Sequence, residues 1–166
     1  MPEMTLSVKD INSQNMPDAL RVETYFDLKA YSNAHEELLV GEGINSVLDV
    51  VAGIGKYAKQ WIARTIEAKL AAGAAKRVSA EDLNCAQVLG SFEAYVEDGA
   101  VFQPANILGV TGDAKPCRVY VSKGTRLFGS SIFLDEGDIF IGEENAIEQG
   151  VGIKGPTIIG AKNGKR

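Results

Sequence analysis

The sequence predicts an α+β protein, with a helical N-terminal region over residues 1–92 and a parallel β-helix of hexapeptide repeats, about three turns long, over residues 93–166. Three observations carry that prediction. Ile141, Ile147, Ile153 and Ile159 recur every six residues, and Val121, Leu127, Phe133 and Ile139 do the same in a frame offset by two. A period of six fits neither the two of an ordinary strand nor the 3.6 of a helix. It marks short strands wound into a solenoid, each turning one aliphatic side chain to a narrow interior. Second, the position four after each aliphatic residue is small or turn-compatible: Thr125, Ser131 and Gly137, then Asn145, Val151, Thr157 and Asn163. Third, Asn145 and Asn163 are eighteen residues apart, as are Gly142 and Gly160, and Ile141 and Ile159. Three six-residue steps make one triangular turn, so these pairs should stack on successive turns. Asparagine suits such a corner because it tolerates the left-handed backbone.

Taken in order, the chain begins with a polar, loosely held stretch from Met1 to about Asn15. Val22 to Leu28 reads as a short strand or an extended lead into a helix. Ala34 to Val40 has helical character, with Glu36 and Glu37 near its positive end, and Gly41-Glu42-Gly43 breaks it. The clearest helix runs from about Ser46 to Ala72, capped by Asn45 or Ser46. Its stripe is Val47, Val51, Ile54, Ala58, Trp61/Ile62 and Thr65/Ile66, with Trp61 the largest contributor. Lys56, Lys59 and Arg64 fall on the wet side. Gly53 and Gly55 each cost about 1 kcal/mol relative to alanine, which predicts a bend. Ser79-Ala-Glu-Asp82 reads as a capping box opening a short helix through Cys85 and Val88. Beyond Gly90 the period becomes six: Val96, Phe102 and Leu108 are in phase, and Ala100 and Asn106 fill the small position. That is the first and least regular turn. Gly109 to Pro116 interrupts it as a corner loop, and the regular turns occupy Val121 to Ile139 and Ile141 to Ile159.

Composition limits the function classes. With 166 residues, 45% hydrophobic and 23% charged, the chain has enough material for one core or two small ones. A net charge of −5 and an isoelectric point near 5.0 argue against a nucleic-acid surface. No signal peptide or membrane-spanning apolar run is visible. Cys85 and Cys117 lack metal-site spacing. The expectation is a cytoplasmic protein with reduced thiols, no nucleic-acid or membrane partner, and no bound metal.

The pieces IGEENAIEQGVGIKGPTIIG and, more faintly, AYVEDGAVFQPANIL resemble the left-handed parallel β-helix of hexapeptide acyltransferases. The closest likeness is to proteins related to the bifunctional N-acetylglucosamine-1-phosphate uridyltransferase/glucosamine-1-phosphate N-acetyltransferase. It is strongest over the last quarter of the chain and diffuse in the first half. The resemblance implies a left-handed solenoid, a homotrimer, acetyl-CoA as co-substrate bound between neighbouring helices, and a sugar phosphate or nucleotide sugar as acceptor. It also implies helices ahead of the solenoid, placed to hide the free strand edges of the first turn. Family members continue for several more turns, whereas Gly160-Ala-Lys-Asn-Gly-Lys-Arg166 stops within a hexapeptide. The expectation is that the C-terminal part is incomplete. A non-catalytic assembly module, in which the β-helix only trimerises, is the alternative.

Candidate chemistry is sparse. The family uses a histidine as general base because its pKa lies near neutrality. The only histidine, His35, lies in the helical lead-in and reads as solvated or capping, and it excludes a multi-histidine zinc site. Gly53-Ile-Gly55-Lys56 falls short of a phosphate loop: Val50 stands for the first glycine and Tyr57 follows the lysine. Lys123-Gly-Thr-Arg126 shares a triplet with sugar nucleotidyltransferases, but Thr125 sits at the small position of the repeat. The acidic pairs Glu36/Glu37, Asp135/Glu136 and Glu143/Glu144 read as solvated corners. Catalytic and cofactor-binding residues are therefore left unassigned.

Overall fold

In a computed structural model, which describes residues 15–27, 35–112 and 117–163, the chain forms two compact units that divide between Tyr57 and Ala58. Expectations that fall on residues 1–14, 28–34, 113–116 and 164–166 lie outside the described residues.

The first unit holds two 3₁₀ turns, Asp18–Leu20 and Val22–Thr24, then helix α1 (Glu36–Val40) and the start of helix α2 (Val47–Ala71). Val22, Leu39 and Val50 form its core, with Leu38, Ile44 and Val47 packed around them. The strand or extended segment expected from Val22 does not form. A 3₁₀ turn replaces it, because burying Val22 and satisfying Thr24 Oγ1 on the Asp18 carbonyl (2.5 Å) both require a tight fold-back. Ser46, rather than Asn45, caps α2. Its hydroxyl accepts from the Asp49 amide (3.3 Å), and the Asp49 carboxylate accepts from the amides of Asn45 (3.0 Å) and Ser46 (2.9 Å). This is a capping box with aspartate at the third position. The Asn45 amide, together with the Ser46 hydroxyl, holds the Asp49 carboxyl below its ordinary pKa.

The second unit is a three-sided parallel solenoid of about three turns with the rest of α2 laid on one side. The strands are β1 (Ala75–Val78), β2 (Gln87–Leu89), β3 (Phe92–Glu97), β4 (Val101–Phe102), β5 (Ile107–Gly109), β6 (Cys117–Val121), β7 (Arg126–Leu127), β8 (Ser131–Phe133), β9 (Ile139–Ile141), β10 (Ala146–Ile147), β11 (Gly152–Lys154) and β12 (Thr157–Ile159). From β3 onward successive strands visit three sheets in rotation. The orders are β1-β3-β6-β9-β12, β10-β7-β4 and β11-β8-β5-β2, and every pairing is parallel except β1 with β3. Such short strands carry few bonds each, so the coils stand only by stacking on one another.

Pairing begins before the six-residue rhythm does. The helix expected from Ser79 is absent: Ser79 Oγ does accept from the Asp82 amide (3.2 Å), but the chain then enters β2, which pairs with β5. Leu83, buried in the solenoid core, shows why. An interior side chain and a parallel strand partner together outweigh one local cap.

The interior follows the sixfold pattern with one shift. Val119, Val121, Leu127, Ile132, Leu134, Ile139 and Ile141 are fully buried, and Ile147 and Ile153 nearly so. Phe133, expected inward, is half-exposed, and its neighbours Ile132 and Leu134 fill the core instead. The reason lies in how the coil is divided. Thr157 pairs with Ile139, eighteen residues back, but Ile139 pairs with Val119, twenty residues back. Within that coil the step from Leu127 to Ile132 is five residues, against six from Ile147 to Ile153, which carries Phe133 out of phase. The extra residues lie beyond it, before Ile141. The stacking predicted from the eighteen-residue repeat does form in the last coil. The left-handed residues there are Glu144 (φ 54°) and Lys162 (φ 63°) rather than the asparagines, which serve the corner through side-chain hydrogen bonds. Asn145 Oδ1 accepts from Asn163 N (2.8 Å) and Nδ2 (2.9 Å), and Asn145 Nδ2 donates to the carbonyls of Gly142 (2.9 Å) and Gly160 (2.7 Å). A Cβ on Gly142 would sit 2.8 Å from the Gly160 carbonyl, so only glycine lets these turns close.

Helix α2, expected over the free strand edge of the first turn, lies instead on the outer face of the β3-β6-β9-β12 sheet. The edge of β3 is covered by β1 through antiparallel pairing. Ala58, Ile62 and Ile66 are buried there against Tyr120 and Phe140, with Trp61, Tyr95 and Ile158 around them. Trp61 meets Phe140 edge-on at 5.2 Å, and Phe140 stacks on Tyr120 at 5.3 Å. Charged contacts flank the aromatic layer. Arg118 donates to both Asp138 (2.9 Å) and Glu67, and Lys69 donates to Glu97 (2.8 Å).

Candidate functional site

The ionisable groups most removed from water lie beneath α2. Glu97 is buried at the end of β3, and its carboxylate accepts from Lys69 Nζ (2.8 Å), Tyr120 Oη (2.7 Å) and the Lys123 amide (3.0 Å). Burial would raise the Glu97 pKa, but these three donors outweigh it and hold the carboxyl below its ordinary range. Burial and the neighbouring carboxylate push the Tyr120 hydroxyl upward. The network is saturated and covered, which suits fastening rather than catalysis. Its linkage has a definite sign. A depressed folded-state pKa stabilises the fold above the unfolded value and loses that contribution as pH falls through the folded one. We therefore expect Glu97→Gln to flatten the acid limb of the stability curve below about pH 4.5, the ordinary glutamate value. Thermal melts between pH 2.5 and 7 check this, and an unchanged acid limb would show that Glu97 is not the linked group.

Two surface concavities of the solenoid lie at its corners. A groove of about 280 Å³ is lined by Gln103, Pro104, Ala105, Phe128, Gly129 and Gln149, which the β4–β5, β7–β8 and β10–β11 corners bring into register. A second, about 540 Å³, is lined by Leu89, Gly90, Val110, Thr111 and Gly112. The first offers two primary amides and an aromatic ring, with no ionisable side chain. It can hold an extended ligand by hydrogen bonds and apolar contact, but its lining cannot move a proton. Nothing in the sixfold pattern singles out these residues. The signal that marks the groove is a run of corner residues, two of them glutamines, that coincide only after coils of unequal length are stacked.

The candidates considered from the sequence are not brought together. His35 precedes α1 in the first unit, with Nδ1 2.9 Å from Tyr57 Oη and the two rings edge to face. Gly53, Gly55 and Lys56 lie within α2, so no phosphate loop forms. In the Lys123–Arg126 stretch, Thr125 is buried. Its Oγ1 donates to the Gly142 carbonyl (2.6 Å) and accepts from the Asn145 amide (3.1 Å), as the repeat reading requires. The acidic pairs on the solenoid sit at half-exposed or exposed corners and are engaged: Asp135 with Thr111, Glu136 with Lys154, and Glu143 with Lys123. Cys85 and Cys117 are free thiols, and burial raises both pKa values, with Asp138 and Asp135 adding to the rise at Cys117. Neither is poised as a nucleophile. The Ser122 hydroxyl is fully buried and has no partner among the described residues, so it meets no substrate.

Among the described residues, no group of three or more histidine, cysteine, aspartate or glutamate side chains is placed to hold a metal ion, and no helix is long and apolar enough to cross a membrane. What fold and site together define is a parallel β-solenoid of about three turns with a helix at its N-terminus. Comparison with protein-family models, curated proteins and solved structures finds no match for this chain.

Proposed function

We propose that the chain is the solenoid scaffold of a left-handed hexapeptide-repeat acyltransferase, working as a homotrimer with acetyl-CoA as donor and a sugar phosphate or nucleotide sugar as acceptor. The observation that carries this reading is the asparagine-laddered coil array, formed by the segment whose sequence resembles that family. The corner groove supports it. Two primary amides and the Phe128 ring suit the extended, amide-bearing arm of an acyl carrier thiol.

Acyl transfer needs a base within hydrogen-bond reach of the acceptor. His35 lies in the first unit against Tyr57, and the groove lining carries no base. We therefore expect the 166-residue chain alone to release no CoA from acetyl-CoA with glucosamine 1-phosphate. A version extended by further coils that include a histidine should release it. Turnover by the 166-residue chain that disappears in His35→Ala would relocate the site to the first unit.

A second reading, a non-catalytic module that assembles through its solenoid, is favoured by the groove's lack of ionisable side chains. Inactivity of the extended version on every amino- or hydroxy-sugar tried, with a stable assembly by light scattering, would decide for the module.

A further inference from the structure

The first half of α2 is apolar on two sides. Val47 and Val50 serve the core of the first unit, yet Leu48 (43% exposed), Val51 (66%) and Ile54 (47%) face outward. A soluble helix with one buried face normally turns charge to water on the other. Here Leu48, Val51, Ala52 and Gly55 are all exposed and fall at i, i+3, i+4 and i+7, which forms a single stripe. Asp49 is the one charged residue from Val47 to Gly55, and the cap at Ser46 already engages it.

We propose that this stripe is a two-fold contact with a second copy of this chain, the two α2 helices lying antiparallel. The stripe is complementary to itself under that operation. With the axis between Val51 and Ala52, Leu48 of each copy faces Gly55 of the other, and Val51 faces Ala52, so large residues meet small ones. The space is present, since a Cβ added at Gly55 has nothing within 4 Å. Charge agrees with the arrangement. Asp49 lies near one end of the stripe and Lys56 at the other, so an antiparallel pair brings acid towards base at both ends. The helix dipoles also oppose head to tail. A parallel pair would set Leu48 on Leu48 and Lys56 on Lys56. A two-fold contact of this kind needs no second binding surface. It doubles the mass of a monomer, and it is independent of any acyl-transfer reading.

The test measures the molar mass of the full chain by multi-angle light scattering and sedimentation from 1 to 100 μM, beside Val51→Lys and Gly55→Leu. The wild type is expected to have twice the mass of Val51→Lys, with the pair dissociation constant weakened at least tenfold in the variant. Gly55→Leu should weaken the pair similarly, because the leucine fills the space meant for Leu48. At concentrations where the wild type is dissociated it should not lower the melting temperature, since leucine favours an exposed helix over glycine. That combination separates a lost contact from a damaged fold. Equal mass for wild type and Val51→Lys overturns the proposal, whether both are monomers, because another segment of the chain covers the stripe, or both are trimers held by the solenoid. A Gly55→Leu pair as tight as the wild type overturns the antiparallel packing.

Discussion

Ile132→Asp is expected to unfold the solenoid near room temperature or to lower its melting temperature by well over 10 °C. Ile132 is fully buried in the second coil, pairing with Leu108 below and Ile153 above. A carboxylate there has only Leu127, Leu134, Ile139 and similar side chains of the interior cluster as company. Burying an unpaired charge costs several kcal/mol, comparable with the whole stability of a small domain. The damage also spreads, because each coil is stable only against its neighbours. Lys154→Asp, one residue from the inward-facing Ile153, makes the control. Its side chain is about 60% exposed and loses only a surface pair with Glu136, so the change should stay within about 1 kcal/mol. Melting curves that shift equally for the two variants would refute the inward and outward assignment.

Asn106→Leu should cost about 2–4 kcal/mol, a large effect for a substitution of similar volume. Asn106 is fully buried at the corner after β4. Its amide donates to the Gln103 (2.7 Å) and Leu127 (2.8 Å) carbonyls, and its Oδ1 accepts from Ser130 N (2.8 Å) and Oγ (2.9 Å). Leucine fills the space but leaves two carbonyls, an amide and a hydroxyl without these partners. Each bond contributes about 1 kcal/mol net, and stranding buried partners costs more. Asn163→Leu, at an exposed position on the other asparagine corner, should cost under half as much because water replaces its bonds. Chemical denaturation of both variants checks the ratio, and equal losses would mean that burial does not set the cost.

A run of four isoleucines at a spacing of six, with asparagines eighteen apart, was enough to predict the solenoid, the inward column Ile141–Ile147–Ile153 and the Asn145–Asn163 ladder. These features are periodic, and a solenoid is a fold in which distance along the chain translates directly into position in space. Helix α2 and its Ser46 cap were legible for the same reason, because capping and the 3.6 period are local. Its expected stripe was wrong in the first half, where Val50 is buried and Val51 and Ile54 are exposed, because the first unit's core draws on a different side of the helix. What the sequence could not decide were outcomes set by competition between distant partners. Phe133 shares the sixfold phase, but a five-residue step from Leu127, set by stacking on the neighbouring coil, hands the interior to Ile132 and Leu134. Ser79–Asp82 carries a helix cap, yet β5 claims the following residues as a strand because an inward Leu83 and a ladder of bonds are worth more. The groove at Gln103, Phe128 and Gln149 has no periodic mark, since it exists only where corners of unequal coils are stacked. Glu97 reads as one more surface acid until Lys69, Tyr120 and the Lys123 amide, 28, 23 and 26 residues away, close around it. The sequence determines what repeats, because the periods of backbone geometry are short. The tertiary structure decides what is unique, because a buried polar group is set by whichever distant donors reach it.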